Sequence, residues 1–549
     1  MTISTETNTP QNLTTASSRP SRISVAAFVI LCGVALRVID SVESSFWLDE
    51  LHTASHASRP SFEKVADAVQ RDFHAPLFYF AVHALRQILP EGLHPHGWRA
   101  LNVAYGLLIL IPVGLLAGRL GGRRAAWTAA AAAAVIPFQI HYSTEFRPYA
   151  LLMLAAATAG YAAFDDRGPA WFRFVLFFAA TAIGVLTQFL MGLVVVTIGA
   201  GRVVAALVGR RRAPDAGAAP WRPLPLPALV LAGALGGAAL VPWVVNRMPW
   251  LLESGGSELV APEGPTAQAT PNPLSEKSLR EIAQQPIRLA APSLEALGPT
   301  WAVPAKAGLV LFAASIALGF TIAALRRRRP PEPDAAAPPG RLPILVGLST
   351  TFLATLLVLA WIQIFAWKRF VLRYDVLEAW IVPILAALPV AAAGGRLGAA
   401  CRGVFFAAVL ALGTAQAFGD DFEPLEESVV AAREAGALVA LADPGAPPLY
   451  SSLLWQPRYF SSVLLYRIYA PDLSFCKPEL LPRPGDPDFA RPVVVVAQQH
   501  RGLDDPRRWS VDDPIVGGLL RGRKAVRRVD LNYRVTVWVF APAPATESR

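Results

Sequence analysis

Residues able to do chemistry are concentrated in four short stretches of this 549-residue chain. The first is Ser45-Phe46-Trp47-Leu48-Asp49-Glu50-Leu51-His52, where two adjacent carboxylates follow an aromatic pair just beyond the first apolar run. A carboxylate held there can take the proton of a hydroxyl group; a wet pair of charges at a helix exit is the plainer alternative. The second stretch runs from Gln139 to Tyr149 (QIHYSTEFRPY) and crowds His141, Tyr142, Glu145, Arg147 and Tyr149 between two apolar runs. An ordinary polar turn with Arg147 snorkelling to lipid headgroups would look the same. The third, Trp367 to Tyr374 (WKRFVLRY), carries Lys368, Arg369 and Arg373. Three cations there suit an anion, and a phosphate is the obvious anion at a membrane surface; interfacial anchoring is the rival account. The fourth is His74-Ala75-Pro76-Leu77-Phe78-Tyr79 together with Arg99, which flank an apolar segment at 73–90. A lone histidine in such a place packs more often than it binds.

These stretches need a scaffold, and composition says what kind. The chain is 54% hydrophobic and only 16% charged, against roughly a quarter charged in soluble domains, so most of it sits in lipid. The net charge of +10 is not a nucleic-acid signal, because the arginines cluster in short loops between apolar runs, the positive-inside pattern. Cys32, Cys401 and Cys476 give neither a disulfide framework nor a metal-binding set. Residues 1–20 are Thr-, Ser- and Asn-rich and are expected to be disordered on the cytoplasmic side. Arg19 and Arg22 then precede the run 24–38, which reads as an uncleaved signal anchor.

Charge bias sets the number of spans. Segment 73–90 carries His74, His83, Arg86 and Gln87, and an arginine near a helix centre costs roughly 2.5–3.5 kcal/mol to insert. If it lies in the interface and the N-terminus is cytoplasmic, the spans fall near 22–40, 98–118, 124–140, 146–164, 171–187, 189–208, 224–245, 304–325, 342–366, 374–394 and 399–418. The inner loops then hold three, two, four, five and two Arg or Lys, sixteen in all, against four in the short outer loops. Letting 73–90 span would flip every later loop against the rule. The expectation is about eleven transmembrane helices over 21–418, with 41–97 and 246–303 as long outer loops.

Past 419 the membrane pattern is lost. Glu426–Leu441 reads as a helix, and Arg491–Ala497 (RPVVVVA) and Asn532–Phe540 (NYRVTVWVF) read as strands, so 419–549 is expected to form a small α/β domain on the outer face. It has no Gly-rich nucleotide fingerprint.

Several blocks carry a family resemblance: WLDE (47–50), HAPLFYFAVHAL (74–85), WRALNVAYGLL (98–108) with AGRLGGRRAA (117–126), and STEFRPYALLML (143–154). In order and spacing they resemble the membrane-embedded C-type (GT-C) glycosyltransferases, above all the family 39 protein O-mannosyltransferase-like and the lipid A aminoarabinose transferase-like groups. The likeness covers about 25–200 and, loosely, 340–395. It implies transfer of a sugar from a polyprenyl-phosphate carrier at the outer, periplasmic face of a bacterial inner membrane. By that similarity Asp49 is the base, with Glu50 beside it, and Glu145 assists it or, with Asp49, a divalent cation. Arg147, Arg99, Lys368, Arg369 and Arg373 become donor-phosphate contacts, and His74, His141 and Tyr149 substrate contacts. The chain departs from the pattern at His74-Ala75-Pro76-Leu77, where the family often has HPPL. It departs again at Gln188, where a histidine is common, and it lacks the WWDYG signature of oligosaccharyltransferases.

The chemistry also fits the residue types. A lipid phosphate is already a good leaving group, so one base suffices, and cations must meet the departing charge. Attack from the face opposite the phosphate implies inversion, as in inverting glycoside chemistry. The rival from another class is a transporter or flippase of a lipid-linked sugar, which would place its charges on interrupted helices near the midplane. The midsections 124–136, 191–201 and 228–241 are free of internal charge beyond the first position of 124–136, which favours surface catalysis.

Overall fold

The computed structural model describes residues 23–43, 46, 48–71, 74–90, 96–211, 222–247, 299–327, 341–362 and 376–419, and in the tail 432–435, 437, 449–454, 475–476, 486, 491–498, 523–532 and 535–542. The stretch 1–20, nearly all of 246–303, Lys368, Arg369, Arg373 and most of the helix expected at 426–441 lie outside these residues.

The first helix, α1 (Ile23–Glu43), leads into three short helices on one side of the bundle: α2 (Leu48–Ala57), α3 (Phe62–Arg71) and α4 (Leu77–Ile88). At 12 residues, α4 is about 18 Å long, too short for a hydrocarbon core of roughly 30 Å. A 3-10 turn (His96–Arg99) precedes α5 (Ala100–Leu108) and α6 (Leu110–Val135). Next come α7 (Pro137–Thr144), α8 (Tyr149–Phe164), α9 (Ala170–Thr187), α10 (Met191–Arg211), α11 (Leu226–Ala238) and α12 (Val241–Arg247). The helices Pro299–Arg327, Arg341–Trp361, Val382–Ala392 and Gly395–Gly419 complete the bundle.

Eight of the described helices are long and apolar enough to cross a membrane. The one at Gly97–Val135 is a hairpin rather than a single 39-residue rod. Gly122 breaks it at φ 70°, a left-handed conformation that costs glycine nothing. Past that turn the arms run side by side: a Cβ on Gly114 would lie 3.4 Å from the carbonyl oxygen of Ala126, and one on Gly118 would lie 3.3 Å from Cβ of Ala126. Small residues let the backbones approach this closely. The shorter apolar helices Tyr149–Phe164 and Val382–Ala392 stand at two further expected segments.

The second arm is interrupted where it meets α7. Ile136 is extended and Pro137 opens the next helix. Proline has no N–H to offer the carbonyl one turn back, which here is Ala133. Arg37 of α1, fully buried, takes over: Nη2 donates to Ala133 O at 3.2 Å, Nη1 donates to Ala134 O, and Nε donates to Ser143 Oγ at 2.8 Å. One turn further along α1, Asp40 accepts the hydroxyl of Thr144. Gly33 allows this approach, since a Cβ there would strike Ala134.

The tail forms a five-stranded mixed sheet, β1 (Leu449–Leu454), β2 (Phe475–Cys476), β3 (Val493–Gln498), β4 (Arg523–Asn532) and β5 (Val535–Pro542), in the order β2-β1-β3-β5-β4. Strand β1 runs parallel to β2 and β3, while β5 runs antiparallel to β3 and β4. One apolar cluster holds Val494, Val537 and Tyr450 of the sheet together with Ala432 and Ala435 and with Phe46, Leu51, Phe78 and Phe146 of the bundle. The sheet therefore packs at the end of the bundle where α2, α4 and the α7–α8 turn meet.

Candidate active site

Adjacent residues on a helix point about 100° apart, and the first turn of α2 uses that to separate its two carboxylates. Glu50 turns inward. Its oxygens accept from Arg99 Nε at 2.9 Å and Nη2 at 2.6 Å, and both side chains are almost wholly shielded. Arg99 Nη1 donates to Ser41 O at 3.2 Å, and the guanidinium lies 4.6 Å over the Phe46 ring. Arg99, expected as a phosphate contact, thus sets its guanidinium on Glu50, and Glu50, expected beside the base, is the buried partner of that pair.

Asp49 turns the other way. Of the three site carboxylates it alone is appreciably open, at 23% side-chain exposure, with its Oδ2 3.9 Å from Arg147 Nη2. Arg147 also donates through Nη1 to Asp49 O at 3.1 Å and to Thr53 Oγ1 at 3.0 Å. Its terminal nitrogens, expected at a donor phosphate, thus contact the first turns of α2. Burial would lower the Arg147 pKa, but Tyr79, Tyr149, Asp49 and Glu145 around it carry the balance upward.

The Glu145-Phe146-Arg147 turn is gripped by side chains from elsewhere. Asn102 of α5, fully buried, donates Nδ2 to the carbonyl of Glu145 and to that of Arg147, the latter at 2.6 Å. The Phe146 N–H donates to Glu50 Oε1, so the buried ion pair braces the turn as well. Phe146 stacks on Phe46, 5.4 Å between centroids and 14° from parallel.

Glu145 itself is 6% exposed, and its Oε2 is shielded without a hydrogen-bond partner. Burial, opposed by His141 and Arg147 and reinforced by Glu50 and Asp49, pushes its carboxyl up to about 7. His141, half-buried, sets its ring edge-on to Tyr142 at 4.8 Å, and Tyr142 meets Tyr149 edge-on at 5.3 Å. Tyr149 is buried, 6.0 Å from the Arg147 guanidinium carbon. His74 stacks on Tyr79 at 5.7 Å, and His56 approaches the same tyrosine at 5.9 Å. Asp49, Glu145, Arg147, Tyr149, His141 and His74 therefore share one end of the bundle.

Sequence reasoning passed over Thr53, His56 and Asn102, and gave Tyr79 no role of its own. The first two stand four and seven residues after Asp49, on the same face of α2, a spacing that could have exposed them. Among the described residues no group of three or more His, Cys, Asp or Glu is placed to hold a metal.

These features define a multi-pass helical membrane protein of the GT-C type of fold, with acidic and cationic groups gathered at one end. The structure is similar to that of ArnT from Cupriavidus metallidurans in the apo state, with TM-score 0.52 and 13% identity over 94% of this chain and 98% of that one. It is similar also to ArnT bound to undecaprenyl phosphate, with TM-score 0.50 and 13% identity over 94% and 97% of the two chains. An oligosaccharyltransferase from Archaeoglobus fulgidus, in complex with Zn and sulfate, matches at TM-score 0.43 and 13% identity over 95% and 74%. Neither a protein-family model nor a curated protein matches the chain.

Proposed function

We propose that this chain is an inverting glycosyltransferase that moves a sugar from a polyprenyl-phosphate carrier to an acceptor hydroxyl at the outer face of the membrane. The observation that carries this reading is the division of labour in α2, where Glu50 is neutralised by Arg99 and Asp49 is left partly open under Arg147. Asp49 takes the acceptor's proton as its oxygen attacks the anomeric carbon. The bond from that carbon to the phosphate oxygen breaks, its electron pair leaves with the carrier phosphate, and the new bond forms on the opposite face. The sheet beside the site and the undecaprenyl phosphate bound by ArnT, which has the same fold, support a lipid-linked donor and an outer, periplasmic site in a bacterial inner membrane. The partners are then membrane lipids, the lipid-linked sugar, and a glycan, lipid or protein acceptor. The site charges, and the second buried group of Arg119 with Asp165 and Asp166, both lie where helices end, which argues for this over passage of a lipid-linked sugar through the bundle.

Mass spectrometry of lipid-linked sugars and surface glycans, in cells with and without the protein, tests the reading. Loss of the protein should accumulate one polyprenyl-phosphate sugar and remove one glycosyl group from an envelope glycan. Unchanged pools of both would end the proposal.

A further inference from the structure

We propose that the Glu145 carboxylate and the Nε–H of Arg147 form a subsite for a neutral sugar hydroxyl, and that the donor phosphate is held elsewhere. The inference rests on the glycosyl-transfer reading and assigns part of that same site.

Two orphan groups of opposite need lie two residues apart. Glu145 Oε2 and Arg147 Nε are both shielded from solvent without a hydrogen-bond partner among the described residues, and both side chains are more than nine-tenths buried. A buried polar group left unpaired costs about 1–3 kcal/mol, so the pair is poised for a ligand. Glu145 wants a donor and Arg147 Nε wants an acceptor. A hydroxyl group supplies both, whereas a phosphate offers only acceptors.

Charge points the same way. The turn faces Asp49, Glu50 and Glu145. Of the two nearby guanidiniums, Arg99 is taken by Glu50 and Arg147 is shared with Asp49. A phosphate would add negative charge beside three carboxylates whose offsetting groups, Arg99, Arg147 and His141, are already engaged with them; a neutral sugar would not. The upward-shifted Glu145 carboxyl fits this use, because its acid form donates to a hydroxyl and its ionised form accepts from one. Tyr149 and Tyr79, both buried beside Arg147, add the amphipathic walls that sugar rings pack on.

The test uses the full chain in detergent micelles with the methyl glycosides of mannose, glucose and galactose as probes, followed by saturation-transfer NMR. At least one glycoside should give a signal with the natural protein, and Glu145→Met should cut it by about tenfold or more, the equivalent of one charge-assisted hydrogen bond. Inorganic phosphate should not displace it. Glu145→Gln, which keeps the shape and one acceptor, should bind more weakly than the natural protein and better than Glu145→Met. No signal from any of the three glycosides, an undiminished signal in Glu145→Met, or displacement by phosphate overturns the subsite. A parallel titration with undecaprenyl phosphate separates the two proposals. Failure of the natural protein to bind it would sink the lipid-linked donor but leave the glycoside result to judge the subsite. Loss of carrier binding in Glu145→Met would place the phosphate at this turn rather than elsewhere and refute it.

Discussion

Glu50 sets both carboxylate oxygens on the guanidinium of Arg99, at 2.9 and 2.6 Å, one residue along α2 from the partly exposed Asp49. Removing one partner of such a buried pair strands the other's charge, at a cost of about 3–5 kcal/mol. Glu50→Gln and Arg99→Met should each lower the melting temperature sharply, and the double variant should recover much of the loss. Thermal denaturation of the three variants in one detergent checks this. Additive losses would mean that the two side chains are not coupled.

Asp49 makes the contrasting forecast. Asp49→Asn keeps the size and removes the base, so folding and carrier binding should persist while turnover falls about 10²–10⁴-fold, the usual weight of a general base. Donor consumption measured at matched protein level decides it, and near-normal turnover would remove Asp49 from the chemistry.

Arg147 holds α2 by two hydrogen bonds from one nitrogen. A lysine has the charge but not the planar fork, so Arg147→Lys should lower kcat more than it weakens carrier affinity. A variant that loses only affinity would restore Arg147 to the phosphate.

The pH dependence of stability should carry the mark of Glu145. Its folded pKa, about 7, lies above the ordinary 4.5, so between those values the folded state holds the proton more tightly than the unfolded chain. Stability then falls as pH rises from about 4.5 to about 7 and levels off beyond. Glu145→Gln should melt higher than the natural protein at pH 8 and alike at pH 4.5. Equal melting temperatures at both pH values would show that the carboxyl is not strained by burial.

Much of the scaffold was legible because lipid imposes a simple rule. Apolar length and the bias of arginine to one side marked the helix segments, and the run VVVV and the alternation of VTVWVF marked β3 and β5. Strand β4 was missed because Arg523-Lys524-Ala525-Val526-Arg527-Arg528 has too few apolar residues to read as a strand. The site was legible as a set of stretches and not as a set of roles. Asp49 and Glu50 look alike in a string, and only the helical rotation between them sends one to Arg99 and the other to Arg147. Asn102 lies in a block that carries the resemblance, but its role was not legible, since it acts on main-chain carbonyls 43 and 45 residues away, and carbonyls carry no sequence signature.

Arg37 has a consequence in time. Its acceptors at Ala133 and Ala134 enter the chain 96 and 97 residues after it, an interval of roughly 5–20 s at ordinary rates of synthesis. Throughout that interval the first helix can offer this charge only its own Gly33 carbonyl, at 3.0 Å in the finished fold, and the carboxylate of Asp40. It must wait at the headgroups or beside the insertion machinery, and it can settle only when the alanine arm and Pro137 arrive. The oldest helix of the nascent chain is thus the one whose seating is decided late, and a break in a later helix makes its seat.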